Sequence, residues 1–217
     1  VMWKTSNDKI ATVDGNGKVT AIAKGRVTIT AYGMINNRVA MNYAIQVRVP
    51  ASKVVINTNT VADTKMYVVK GTTFKLNTTL TPTETEDKLT YKSSKKKVVK
   101  VDANGNVTAV KKGKAVITVT ADSGKKDKIT IYVVKKPTAA KKIKLKTKSI
   151  KVGKTVRLKM TLTSAKSTDT LTYSVDKPEI ATIDQFGYLK GVKKGKVKVT
   201  IKASSGATIT KTVKVKK

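Results

Sequence analysis

The chain has 217 residues, 39% of them hydrophobic, and carries 46 Lys and Arg against 13 Asp and Glu, a formal net charge of +33 at pH 7. Cysteine and histidine are absent, which excludes disulfides, thiolate nucleophiles, Cys/His zinc sites and histidine acid–base chemistry together. No run of about 18 apolar residues occurs, so no membrane-inserting helix is expected.

The N-terminal VMWKTSNDK lacks the charged-then-apolar layout of a secretion signal, so an exported form is expected to carry its signal upstream. Beyond it, residues 13–25 read VDGNGKVTAIAKG, and the phrase returns as VDANGNVTAVKKG at 101–113 and IDQFGYLKGVKKG at 183–195. Aligned on Gly25, Gly113 and Gly195, the copies extend outward in both directions, which marks an internal repeat. Each copy places an aromatic upstream (Trp3, Tyr91, Tyr173) and then alternates apolar with Thr or Lys. That period of two predicts strands with one dry and one wet face and leaves almost no room for helices.

In the first copy the expected dry parity is Ala11/Val13, Val19/Ala21 and Val27/Ile29/Ala31. The second gives Val99/Val101, Val107/Ala109 and Ala115/Ile117/Val119, the third Ala181/Ile183, Leu189/Gly191 and Val197/Val199/Ile201. Asp-x-x-Gly at Asp14, Asp102 and Asp184 predicts a tight hairpin, the Asp accepting backbone N–H groups and the Gly taking a positive φ. Proline marks short joints at Val49-Pro50-Ala51-Ser52 and Lys135-Lys136-Pro137-Thr138, which predicts closely coupled neighbours in a semi-rigid rod. The second and third copies open with matching strands, Lys53-Val54-Val55-Ile56 and Lys142-Ile143-Lys144-Leu145, and the second inserts several residues from Thr60 to Met66, expected as a longer surface loop. The first copy lacks this opening portion. The organisation expected is therefore a partial repeat over 1–49, a complete one over 50–136, and a complete, strongly basic one over 137–217. The chain is expected to be cut from a longer parent, with the missing strands supplied by a separate fragment or by strand exchange with a second copy; a clean monomer in light scattering with a protected Val27 to Ala31 amide ladder would count against this.

The pattern aromatic, then Ala-Thr-[Val/Ile]-Asp-x-x-Gly, then Lys-Gly and an alternating strand, as at residues 3–30, resembles the bacterial immunoglobulin-like domain of group 2. The likeness covers essentially the whole chain. It implies an all-β fold of tandem immunoglobulin-like sandwiches, the first incomplete, with Trp3, Tyr91 and Tyr173 as core aromatics. It also implies a spacer, stalk or attachment role in adhesins or secreted polysaccharide-degrading enzymes, with a head or enzyme domain N-terminal in the same parent chain, and a surface location on a Gram-positive type of bacterium. Such a family implies no catalysis of its own.

Candidate chemistry is sparse. Asp14, Asp102 and Asp184 are lone carboxylates in lysine-rich surroundings, so they read as turn formers and not as calcium ligands. Glu84-Thr85-Glu86-Asp87 reads as a solvated loop, and neither Asp176 with Glu179 nor Glu84 with Asp87 reads as a catalytic pair. No cofactor or metal is expected. Net charge rises from +5 over residues 1–50 to +11 over 51–140 and +17 over 141–217. The last value exceeds the net charge of roughly 2 to 8 that solubility asks of a small domain. Candidate polyanion contacts are Lys111, Lys112, Lys144, Lys146, Lys193, Lys194 and Lys198, with teichoic acid or a similar wall polymer as the expected partner. Lysine also protects sheet edges, and that reading stands beside the first. Phe186 and Tyr188, at the tip of the third hairpin, are the candidate contacts for an alternative role in glycan binding or adhesion. Specific nucleic-acid recognition is not expected, because aromatics are not interleaved with the basic residues.

Overall fold

The computed structural model describes residues 1–33, 40–60 and 64–217. These form strands and turns with no helix, and so none long and apolar enough to cross a membrane. The first repeat holds β1 (Met2–Thr5), β2 (Ala11–Val13), β3 (Val19–Ala21), β4 (Gly25–Tyr32) and β5 (Ala40–Val47). In the second are β6 (Lys53–Asn57), β7 (Lys65–Val69), β8 (Thr73–Lys75), β9 (Asn77–Thr81), β10 (Leu89–Ser93), β11 (Val99–Val101), β12 (Asn106–Ala109), β13 (Gly113–Ala121) and β14 (Lys126–Val134). The third comprises β15 (Lys142–Leu145), β16 (Ser149–Lys151), β17 (Thr155–Arg157), β18 (Met160–Thr163), β19 (Leu171–Val175), β20 (Ala181–Ile183), β21 (Tyr188–Gly191), β22 (Gly195–Ala203) and β23 (Thr208–Lys216). By compactness, Val1–Lys53 with Leu80–Lys88 form one unit and Val54–Thr79 with Leu89–Lys217 another.

The two complete repeats share one topology. Sheets β10-β13-β14-β7 and β11-β12-β8, with the pair β6-β9, correspond to β16-β23-β22-β19, β17-β21-β20 and β15-β18. In each, the last strand pairs antiparallel with the one before it and parallel with an early strand, β14 with β7 and β23 with β16. This is the strand arrangement of a tandem immunoglobulin-like sandwich. Side-chain parity drives it: Val107, Ile117, Val119, Ile129 and Ile131 are fully buried in one repeat, as are Leu189, Val199, Ile201 and Val213 in the other. Alternate positions on the same strands face water. Burying a Val, Leu or Ile side chain contributes about 1.5–3 kcal/mol, so these residues supply most of the driving force.

The first repeat departs from its expected parity. Ala11, Val27 and Ile29 are buried with Trp3, Ile10, Val13, Ile45 and Val47 packed around them. Val19, by contrast, is 37% exposed and Ala21 is exposed too. The cause is topological: β12 and β21 each have a second neighbour, β8 and β17, whereas β3 pairs only with β2 among the described residues. The insertion expected at Thr60 to Met66 lies partly outside the described residues, at 61–63. Its flanks are not simply surface, because Thr58 and Thr60 are buried and Lys65 and Met66 belong to β7.

Each repeated phrase folds as a hairpin whose Asp Oδ1 accepts two backbone N–H groups: Asn16 and Lys18 on Asp14, Asn104 and Asn106 on Asp102, Phe186 and Tyr188 on Asp184, all at 2.8–2.9 Å. The hairpin glycine answers two demands at once. Gly187 has φ +81°, and a Cβ there would lie 2.8 Å from Cζ of Tyr173; Gly105 repeats this under Tyr91 with φ +79° and 2.9 Å. The upstream aromatics thus pack over the hairpins as half-buried lids and are not fully enclosed in the sandwich centre. Gly187→Ala should therefore lose about 1–3 kcal/mol of stability, from the left-handed backbone and the displaced ring together. Urea denaturation checks this, and a loss within error of zero would show that the ring contact yields freely.

Candidate functional site

The third hairpin tip does not stand free. Phe186 and Tyr188 are both half-buried. Arg157, at the end of β17, donates from Nε to the Phe186 carbonyl at 3.3 Å and lies 6.0 Å over the Tyr188 ring. Its Nη2 donates to the carbonyls of Thr58 at 3.0 Å and Thr60 at 2.8 Å, on the segment that follows β6 in the second repeat. Leu171 N–H adds a bond to the Asn59 carbonyl at 2.7 Å. A planar guanidinium with five donors suits such a cluster of carbonyls better than an ammonium does. The two aromatics are therefore part of the junction between the second and third repeats. Burial pushes the Tyr173 hydroxyl up to about 12 against the pull of the Arg157 cation.

A second organising group is Asp169, just ahead of β19 and 6% exposed. Its carboxylate accepts from Ala140 N–H at 2.6 Å, Ser204 Oγ at 2.8 Å, Ser205 N–H and Oγ at 2.9 and 2.8 Å, and Ser167 Oγ at 2.9 Å. Burial acts to raise its pKa, but the Ala140 N–H and the serine hydroxyls outweigh it and hold the carboxyl below the usual aspartate range. Asp87 stands at the matching place in the second repeat and accepts from Ala51 N–H at 3.1 Å. Sequence reasoning missed this pair, although the spacing Asp-x-Leu-x-Tyr at Asp87 and at Asp169 is visible in both copies. It also corrects the reading of Glu84-Thr85-Glu86-Asp87 as a merely solvated loop. Asp87 ties down a strand start, and Glu86 pairs with Lys24 at 2.9 Å, which lowers its pKa through that hydrogen bond and charge.

Asp176 accepts from Lys198 N–H at 2.7 Å, the service that Ser6 and Ser94 hydroxyls give Thr28 and Val116 in the other copies. It is a strand cap. Among the described residues no group of three or more His, Cys, Asp or Glu is placed to hold a metal ion.

All seven candidate lysines are exposed. Lys111–Lys112 and Lys193–Lys194 occupy the turns before β13 and β22, in different repeats. Lys144 and Lys146 come together with Lys142, Lys148 and Lys211 around an open groove of about 880 Å³ floored by Ile143, Leu145 and Ile209. Lys198 lies on the outer face of β22, opposite Thr212. The structure adds lysines that were not singled out: Lys148, Lys196, Lys214 and Lys216 border a second groove of about 560 Å³. In the second repeat the row matching Ser149, Lys214 and Lys196 is Tyr67, Tyr132 and Lys114. There the two rings stack at 4.8 Å and the Lys114 ammonium sits 5.7 Å over Tyr132. The third repeat has replaced a self-satisfied row by two cations facing each other.

Paired sheets, hairpin phrase and parallel closing strand define tandem immunoglobulin-like modules without a catalytic constellation among the described residues. The family model described as bacterial Ig-like domain (group 2) matches residues 1–39, 55–131 and 137–215, and the chain belongs to that family. The family is one of non-catalytic Ig-like domains. Among similar proteins, an uncharacterized protein of Clostridium acetobutylicum is 33% identical over 128 residues, 58% of this chain and 12% of that protein. A lacto-N-biosidase of Bifidobacterium bifidum is 39% identical over 83 residues, 38% of this chain. The chain thus matches 12% and 8% of the length of these relatives. Among solved structures, domains 4–9 of the surface layer protein SbsC align over 99% of this chain and 38% of that one, with 19% identity and a TM-score of 0.36. An intimin mutant of EHEC O157:H7 aligns over 43% and 46%, with 23% identity and a TM-score of 0.28.

Two substitutions test the geometry. Asp169→Asn should cost about 2 kcal/mol or more at neutral pH, since several charge-assisted bonds weaken together. Because its folded pKa is depressed, the stability from Asp169 is fully present above the unfolded aspartate value of about 3.9 and is lost as pH falls through the folded value. The wild type should therefore lose stability below about pH 4 more steeply than the variant in chemical denaturation across pH. Arg157→Ala should loosen the second and third repeats, read as separated rotational correlation times in NMR relaxation; identical tumbling of both repeats in the variant would show that the guanidinium is dispensable.

Proposed function

We propose that this chain is a non-catalytic stalk segment of an extracellular, cell-surface protein, and that its third repeat attaches to anionic cell-wall polymers of the teichoic acid kind. The observation that carries the reading is the cross-strand pair Lys196 and Lys214. Like charges directly opposite on a sheet destabilise it, and the second repeat shows that the same fold is satisfied by Lys114 over Tyr132. The pair gains when a polymer of phosphates lies across it, because each phosphodiester brings one negative charge between the ammonium groups and so offsets part of the repulsion between them. Lys148, Lys198 and Lys216 continue the positive surface along the same strands. The junction through Arg157 serves the stalk role by holding the third repeat at a set orientation to the second.

Binding of the whole chain to purified cell wall, with and without teichoic acid, tests the reading across a salt series. Retention should need the polymer and fall steeply with ionic strength. Lys214→Tyr, which restores the residue of the second repeat, should weaken it several-fold, on the order of one lost phosphate contact. Lys111→Gln with Lys112→Gln should have less effect. Salt-resistant retention on wall stripped of teichoic acid would overturn the attachment role.

A further inference from the structure

The joint between the second and third repeats holds a cleft whose chemistry differs from that of the lysine grooves. It measures about 550 Å³, within the roughly 300–1,000 Å³ of small-molecule sites, which favour such boundaries between modules. Eight of its sixteen lining residues are Ser, Thr or Asn, and the charged ones are Lys75 and Asp169 alone. The lining therefore sums to no net charge, in a chain that carries +33. The two grooves of the third repeat are bordered by five and by four lysines, with no acid in either lining.

Two aromatic rings of the second repeat line the cleft, Tyr67 of β7 and Phe74 of β8, both half-buried. Neither ring is demanded by the strand that carries it. Aligned on Gly71 and Gly153, the same positions in the third repeat are Ser149 and Val156, and β16 and β17 pair there as β7 and β8 do. Tyr132 stacks on one face of Tyr67 and is not part of the lining, so the rest of the Tyr67 ring is what the cleft receives.

The third repeat supplies a polar wall, and Asp169 sets it. Ser204 and Ser205 each donate their hydroxyl hydrogen to its carboxylate at 2.8 Å. Ser204 Oγ also accepts the Thr170 N–H at 3.3 Å, which leaves it one lone pair. With their hydrogens committed, the oxygens of these two exposed serines are left as acceptors of fixed direction. Asn59 and Asn77 from the second repeat and Thr170 from the third add side chains that both donate and accept.

We propose that this cleft binds a short uncharged oligosaccharide, with the C–H face of one sugar ring against Tyr67 or Phe74 and its hydroxyls on Asn77, Thr170 and the two serines. A sugar hydroxyl donates and accepts at once, so it is matched by fixed acceptors beside groups that do both. The apolar face of the ring is matched by the aromatics. A phosphate polymer would meet a single lysine here, offset by a carboxylate. A wholly apolar ligand would strip water from the amides and hydroxyls without replacing their hydrogen bonds. The site goes beyond wall attachment, since it reads a pattern of hydroxyls and not charge.

The probes are cellotriose, maltotriose and tri-N-acetylchitotriose, each titrated into the whole chain and followed by NMR. At least one should saturate at millimolar concentration or below, with the largest amide shifts at Thr72, Phe74, Asn77, Thr170 and Ser205. Binding should survive in salt that releases the chain from the wall, because no ion pair carries it. Tyr67→Ser and Phe74→Val install the residues of the third repeat and so keep the strands; each should weaken binding about fivefold, the worth of one aromatic contact. Asn77→Ala, at an exposed position, should weaken it several-fold with the urea midpoint unchanged. Lys214→Tyr should bind the sugar as the wild type does even where it fails on the wall, which separates loss of this site from loss of wall attachment. No saturable binding by any of the three sugars, shifts centred on Phe186 and Tyr188 or on the lysine grooves, binding abolished by salt, or full affinity in both Tyr67→Ser and Phe74→Val would each overturn the proposal.

Discussion

Everything in this molecule depends on the alternation of strand side chains between a sealed interior and an open face. The interior parity of β13 and β22, of β14 from Ile129 on and of β23 from Val213 on is occupied by Val, Ile and Ala at or near zero exposure. With the interior settled by those residues, the other parity is free to vary without unfolding the sandwich. Chemistry in such a module is therefore written on the outer faces, on the hairpin tips and at the joints between repeats. The second and third repeats use that freedom differently, although their strands correspond one for one.

The second repeat satisfies itself. Its outer row stacks Tyr67 on Tyr132 beneath Lys114, and its Ile56 N–H is met by Asp127. In the third, lysines take the places of Tyr132 and Ile129, and isoleucine that of Asp127, each change removing an internal partner. Lysine is compact, strongly hydrated and tolerant of exposure, so the fold bears these changes with its core intact. What is lost in internal satisfaction appears as surface that favours anions.

Much of this was legible beforehand, for a physical reason. Period two, the Asp-x-x-Gly hairpin and the repeat itself are local patterns, and local patterns survive in a linear string. The interior parity held for both complete repeats and failed at Val19 and Ala21, where burial depends on a second neighbour for β3 and not on the residues themselves. The candidate lysines of β15 were recognisable by alternation, whereas Lys196 facing Lys214 needed the pairing register of β22 with β23. Arg157 and Asp169 were invisible because their partners, Thr58 and Thr60 for one and Ala140 and Ser204 for the other, are distant in the chain. Phe186 and Tyr188 read as a free tip for the same reason: nothing in their neighbourhood announces the arginine that bonds the Phe186 carbonyl and lies over the Tyr188 ring.

The parallel pairing of the early strand with the last one, β7 with β14 and β16 with β23, bears on how such a module responds to tension. A pull entering through the early strand and leaving through the last runs lengthwise along two strands that point the same way. Their hydrogen bonds lie across the line of force and are sheared as a set, instead of being unzipped one after another. In the second repeat five residue pairs share that load, from Thr130 with Lys65 to Val134 with Val69, and in the third only three, from Ser149 with Lys214 to Lys151 with Lys216. At this clamp the second repeat is the stiffer link, and the module with the more cationic surface is the one that yields sooner.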